Sequence, residues 1–158
     1  MAYNGALLWV EATNADQTAY AGTGRLKTIG TTVYLSFLMN AIGEEGYSSK
    51  PNIREEIKAY RDDNTRNLTR VTASGMKTQI AIETREKLPD ADKIEVLKWF
   101  TDHEIMAVQR KITLLYFDID TSTYKTGTFY RADTEYKIQT IQKDKLYWKP
   151  FTIELIEY

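Results

Sequence analysis

No cysteine occurs among the 158 residues, and there are only one histidine and three prolines. Without cysteine there are no disulfides, no thiolate metal sites and no cysteine nucleophile. This fits a reducing compartment without requiring one, since secreted proteins also do without cysteine. Charge of one sign is missing too: 21 basic and 22 acidic residues are interspersed, giving a net charge of -1. No more than two basic residues stand side by side and there is no acidic tail, so the chain has no electrostatic footprint for gripping nucleic acid. No apolar run approaches the ~20 residues that span a bilayer. MAYNGALLWVEA lacks the basic segment and long apolar core of a signal peptide. The expectation is a soluble protein made in a cytoplasm, with no membrane partner.

What is present is globular and rich in aromatics. Hydrophobic residues at 42% and charged residues at 27% exclude wholesale disorder. The length suits one domain, 1–158, with a two-layer core. Eleven tyrosines, five phenylalanines and three tryptophans favour strands and packed interfaces. They are dense in the last third, where RKITLLYFDID, TYKTGTFYRAD, EYKIQTIQKD and KLYWKPFTIELIEY read as four consecutive antiparallel strands joined by tight connections. Upstream, GALLWVEA (5–12) is a strand, TNADQTAYAGTG a polar connection, and RLKTIG leads into an alternating strand in TTVYLSFLMNA (31–41). AIGEEGYSSKPN (41–52), with two glycines, two serines and a proline, reads as a long exposed loop or hairpin tip. IREEIKAYRDDNTRNLTRVTAS (53–74) reads as a hairpin about Asp62-Asp63-Asn64, with Ile53, Glu55, Ile57 and Ala59 on one side; a helix over 53–61 is the competing assignment. GMKTQIAIETR (75–85) is a strand with Ile80 and Ile82 inward.

The period then changes. LPDADKIEVLKWFTDHE predicts one helix at about 89–103, capped by Asp90, with Ala91, Ile94, Leu97 and Phe100 facing a sheet and Val96 and Trp99 widening that face. Strands, one helix, then strands exclude a doubly wound parallel sheet. The expected class is α+β, mainly β: two packed antiparallel sheets, a sandwich or split barrel, with one helix and one long exposed loop.

Candidate chemistry is sparse. LLYFDIDTSTYKTG places Asp118, Asp120 and Ser122 after four apolar residues, like the first motif of haloacid dehalogenase-type phosphatases. That chemistry needs a parallel sheet and further Lys and Asp motifs, and only 36 residues follow Ser122. The same spacing offers oxygens to calcium, but Thr123 and Phe129 stand where an EF-hand loop wants Gly and Glu. A hairpin turn closed by side-chain-to-backbone bonds is the simpler reading. His103, the lone histidine, suits a cap on helix carbonyls better than a triad whose other members cannot be placed. Gly22-x-Gly24 before Arg25 has no phosphate-loop context and reads as a turn. Trp148 with Tyr147, or Tyr124 with Tyr130, offers stacking faces for a sugar, although alternating aromatics in strands more often pair across strands. No catalytic, cofactor or metal residue is expected.

The stretches RDDNTRNLTR, TQIAIETREKLPDADKIEVLKWF, KITLLYFDIDTSTYKTGTFY and YWKPFTIELIEY, from Arg61 to Tyr158, resemble small tail-module proteins of bacteriophages infecting Gram-positive hosts. The element order is similar to the fold of phage tail-tube, distal-tail and hub proteins. The resemblance implies a non-enzymatic virion protein: a tail-tube, distal-tail or baseplate subunit whose copies form a ring around a lumen that DNA traverses. Its partners would be copies of itself and other tail proteins. The inter-subunit loop would be 41–52, with Ile42, Glu44, Glu45, Tyr47, Lys50 and Pro51 as its contact residues, and the hairpin to Ser74 would share that role. A head-to-tail connector or tail terminator, or a carbohydrate-binding receptor-recognition β-sandwich, are the other readings.

Overall fold

The computed structural model describes residues 2–54, 56–72 and 75–158, with the side chains of Ile57 and Thr72 excepted. Glu55, Ile57 and the end of the predicted hairpin at Ala73 and Ser74 therefore lie, in whole or in side chain, outside the described residues. Over the described residues the chain is mainly β with two α-helices, organised around a large curled antiparallel sheet. In chain order the elements are β1 (Leu8–Glu11), α1 (Asn14–Ala19), β2 (Leu26–Ile29), β3 (Thr32–Ser36), a single 3-10 turn at Met39–Ala41, β4 (Ile42–Ile53), β5 (Glu56–Arg61), β6 (Leu68–Thr72), β7 (Lys77–Thr84), β8 (Leu88–Pro89) and α2 (Asp90–Thr101). There follow β9 (Glu104–Met106), β10 (Lys111–Asp118), β11 (Thr123–Arg131), β12 (Ile138–Gln142), β13 (Lys145–Trp148) and β14 (Thr152–Glu157).

The large sheet runs β2-β3-β1-β10-β11-β14-β7-β4, with β9 beside the start of β10; β12-β13-β8 form a three-stranded sheet and β5-β6 a separate hairpin. Period-two alternation sets its inner face. On β7, Thr78, Ile80, Ile82 and Thr84 point inward; on β10, Ile112, Leu114, Tyr116 and Asp118 do. Register stacks these rows across strands, Ile82 beside Ile153 and Ile80 beside Leu155, and Ile112 beside Phe129. Helix α2 covers this face with Val96, Trp99 and Phe100, whose rings meet Phe37 edge-on or tilted at 5.2 and 5.8 Å.

The expected strands at 5–12 and 75–85 are present as β1 and β7, and the hairpin assignment for 53–74 holds over the described residues; the strand expected at 31–41 runs only over Thr32–Ser36 as β3, and Met39–Ala41 turn instead as a 3-10 helix. Five other expectations are corrected. TNADQTAYAGTG contains a helix, α1, begun by a capping box: Thr13 Oγ1 accepts from the Asp16 amide at 3.2 Å and Asp16 Oδ2 from the Thr13 amide at 2.9 Å. The stretch 41–52 is not a loop but the edge strand β4. An edge strand presents one row of backbone groups to solvent, so it tolerates Pro51 and bulges. It has two register breaks, with Glu45 and Asn52 at φ of 55° and 54°. Gly46 is required at the first break, because a Cβ there would stand 2.3 Å from the Glu83 carbonyl oxygen. Pro89, not Asp90, occupies the N-cap of α2, and Asp90 instead accepts from the Trp148 indole at 2.9 Å. The buried face of α2 is rotated from the expected one, leaving Ile94 55% exposed. The C-terminal third supplies five strands after Arg110, not four, because Pro150 splits the last segment: β13 joins the small sheet and β14 enters the large one between β11 and β7.

Candidate functional site

The hairpin β5-β6 stands out as an arm. From Lys58 to Val71 every residue is exposed, on both faces of the ribbon. Among the described residues its hydrogen bonds run within itself: Asp62 Oδ1 accepts from the amides of Asn64 and Thr65 at 2.9 and 2.8 Å, the Arg61 guanidinium donates to the Arg66 carbonyl at 3.1 Å, and Arg70 Nε pairs with Glu56 at 2.5 Å. Those amide bonds hold the Asp62 carboxyl below the usual carboxylate range. The ribbon nevertheless carries Tyr60, Leu68 and Val71, each about half exposed at 49%, 51% and 45%. A lone two-stranded ribbon is marginal in water, so the arm carries apolar surface that its own fold leaves uncovered.

The predicted contact residues lie along β4, the strand that precedes this arm in the chain. Glu44, Glu45 and Lys50 are exposed, while Ile42, Tyr47 and Pro51 are half-buried. Tyr47 packs on the core, and burial, with Tyr116, Tyr124 and Asp118 close by, pushes its phenol well above the ordinary value. These six residues share one strand but do not form one surface, since Tyr47 belongs to the inner face.

Further along the outer face, register carries a continuous row through Met106, Lys111, Tyr130, Ile156, Gln79 and Lys50. The Tyr130 and Tyr158 rings meet edge-on at 5.6 Å with the Lys111 ammonium 4.3 Å from the Tyr158 ring centre. Ile105, Met106 and Val108 extend this patch, and Val108 is 99% exposed. EIMAVQR carries no signal in the sequence, because a short apolar run after a helix is indistinguishable from core; only its place beyond α2 exposes it.

The polar motifs serve the fold. Asp118 ends an antiparallel strand, forms an ion pair with Lys125, and accepts from the Asp120 amide at 3.0 Å and the Thr121 hydroxyl at 3.1 Å. Burial works to raise its carboxyl, but the Lys125 bond and these two donors outweigh it and hold the group below its ordinary value. Ser122 sits in the turn at φ 53°. No cluster of His, Asp and Glu able to hold a metal occurs among the described residues. His103 caps α2 through Nδ1, 2.7 Å from the Trp99 carbonyl, and its Nε2 lies 2.6 Å from Asp16 Oδ2, tying α1 to the end of α2. Burial alone would raise Asp16, yet the bonds from His103 and Thr13 bring it below its ordinary value. Gly22 and Gly24 make a turn with φ of 73° and 80°, after which the Arg25 guanidinium reaches Ser36 O and Glu95 at 2.8 and 3.2 Å. Among the sugar-stacking candidates, Trp148 has the Lys93 ammonium 4.0 Å from its ring centre. Tyr124 spends its hydroxyl on Asn4 and Ala6. No helix among the described residues is long and apolar enough to cross a membrane.

Fold and surface together describe a mainly-β α+β protein whose distinctive parts are a bare ribbon, an exposed apolar patch at one end of the outer face and a bulged sheet edge. The chain belongs to the family described as "Family of unknown function (DUF6711)", whose profile matches residues 1–158. No curated protein matches it.

Proposed function

We propose that the chain is a non-enzymatic structural subunit of a bacteriophage tail, a tube, distal-tail or baseplate/hub component that assembles with copies of itself around a DNA conduit. Its place would be the tail of the virion, beside other tail proteins. The observation that carries this reading is the arm: a ribbon exposed on both faces that bears Tyr60, Leu68 and Val71. Such surface is a hazard in a monomer and an asset in a subunit whose neighbours cover it. The exposed apolar residues Ile105, Met106 and Val108 at one end of the outer face favour the same conclusion. A conduit for DNA also benefits from weak phosphate binding, and the net charge of -1 suits that. A connector or terminator role in the same particle rests on the same surfaces. The sugar-binding reading has less support, because Lys93 already lies over Trp148. Multi-angle light scattering of the purified chain is the test. The intact protein should elute as a closed oligomer, and the variant Tyr60→Ser/Leu68→Ser/Val71→Ser as a folded monomer. A wild-type chain that stays monomeric at every concentration overturns the reading.

A further inference from the structure

Helix α1 is held by charge and hydrogen bonds instead of apolar packing. From Asn14 to Ala19 every side chain is exposed except that of Asp16. Isolated helices shorter than ~12–15 residues are marginal in water, so this six-residue helix depends on its ties to α2. One tie lies just past its end, where the Tyr20 hydroxyl and the Arg25 guanidinium both donate to Glu95, at 3.3 and 3.2 Å. The other joins Asp16 to His103, the only histidine of the chain, with both side chains largely buried. We propose that His103 and Asp16 form a proton-operated latch: the first turn of α1 is fastened while the imidazole is doubly protonated and released when the ring loses a proton. The latch does not depend on self-assembly.

Hydrogen-bond chemistry fixes the state of the ring. Nδ1 lies 2.7 Å from the Trp99 carbonyl oxygen, which can only accept, so Nδ1 carries a hydrogen. Nε2 lies 2.6 Å from Asp16 Oδ2, which also accepts from the Thr13 amide at 2.9 Å. Burial would raise the Asp16 carboxyl, yet the bonds from His103 and Thr13 hold it below its ordinary value, so it is ionised at neutral pH. An ionised carboxylate only accepts, and Nε2 therefore carries a hydrogen too. A ring with a single hydrogen would set a bare lone pair against the carbonyl or the carboxylate, a mismatch that burial makes costly. Imidazole is the side chain that changes charge between about pH 5 and 8, and Asp16 stays ionised over that range. The latch is closed at its acid end and open at its alkaline end.

The ring's other neighbours are not bonded to it. Its hydrogen bonds among the described residues go to Trp99 and Asp16 alone. Asp102 and Glu104 flank it in the chain; Asp102 is exposed, and Glu104 is taken by Arg131 of β11 at 3.2 Å. Lys98, earlier on α2, is exposed, and the Trp99 ring lies 6.3 Å from the imidazole. Glu11 of β1 and Tyr34 of β3 line a cleft of about 430 Å3 that His103 and Thr13 also line. Release of Thr13 from this arrangement changes the wall of that cleft.

Hydrogen exchange read by mass spectrometry on the full chain, from about pH 5.5 to 8.5 and corrected for intrinsic exchange, tests the latch. Protection of the segment 12–20 should fall tenfold or more across that range, while β10 keeps its own. The step should vanish in His103→Gln, which cannot take up a proton, and in Asp16→Asn, which has no charge to pair. Circular dichroism checks each fold, and if one variant fails to fold the other carries the comparison. In the wild-type chain grown with 13C-labelled histidine, the single imidazole reports its own titration by NMR, and its midpoint should coincide with that of α1 release. The latch is overturned by a wild-type step that is absent, that persists undiminished in a folded variant, or whose midpoint differs from that of the ring.

Discussion

Replacing Gly46 by alanine tests whether residues 42–53 are a strand pressed against β7 or the loop that their composition suggests. The added Cβ would lie 2.3 Å from the Glu83 carbonyl oxygen and 2.8 Å from that of Gly43. Both obstacles are backbone, so no side chain can swing away and β4 must lift from β7 near its first bulge. Overpacking of this kind costs about 1–3 kcal/mol; with two backbone contacts the upper half of that range applies. At ~2.1 cal/mol/K per residue, a chain of 158 residues unfolds with an entropy of about 0.33 kcal/mol/K. The expected fall in Tm is therefore about 6–9 °C by calorimetry. Gly75→Ala is the control: a Cβ there meets nothing within 4 Å and its φ is not in the left-handed region, so its Tm should hold within about 1 °C. If Gly46→Ala is equally silent, β4 is not held where the fold places it, and the account of the sheet edge is wrong.

Two further outcomes follow from the packing and the buried acids. Phe100→Ala removes a side chain with no exposure from the centre of the core and should cost about 3–5 kcal/mol. Ile94→Ala on the same helix, 55% exposed, should cost about 0.5 kcal/mol or less; denaturant titrations of both check the orientation of α2, and equal losses would contradict it. Asp16 and Asp118 both titrate below their ordinary value in the folded protein, so the stability they add is complete above about pH 4 and disappears as the pH falls through their lowered values. Asp118→Asn should thus lower Tm at pH 7 and flatten its decline between about pH 5 and 2, a pH series of thermal melts being the measurement. An unchanged acid limb would show that the Lys125 pair carries no such linkage.

Most of the strands were readable because one face of each is buried and the other is not, which writes period two into segments such as KTQIAIET and KITLLYFD. The edge strand β4 escaped that reading for a physical reason. It needs to satisfy only one row of backbone groups, so glycine, proline and charge accumulate in it just as they do in loops, and Gly46 marks a close approach to β7 instead of a turn. The face of α2 is not legible in its sequence because Ile94, Val96, Leu97, Trp99 and Phe100 wrap more than one side of the helix, and periodicity cannot rank them. Helix α1 did leave a signal, Thr13 three residues before Asp16, but with aspartate in the place where a capping box more often has glutamate or glutamine. The arm was legible as a hairpin from its polar turn. Its isolation was not, because whether Tyr60 and Leu68 are covered depends on what lies beside the ribbon and not on the ribbon's own pattern. The same holds for the outer row through Met106, Lys111, Tyr130 and Ile156, which is assembled from β9, β10, β11 and β14 only once the sheet has formed.

The central claim is that the ribbon and the outer face of this chain are completed by other copies. Negative-stain electron microscopy of the purified protein tests it most directly. The account predicts closed rings with a central lumen, lost when Tyr60, Leu68 and Val71 are changed to serine. Uniform particles of a single 18.3 kDa chain, identical with and without those changes and persisting at high concentration, would contradict it.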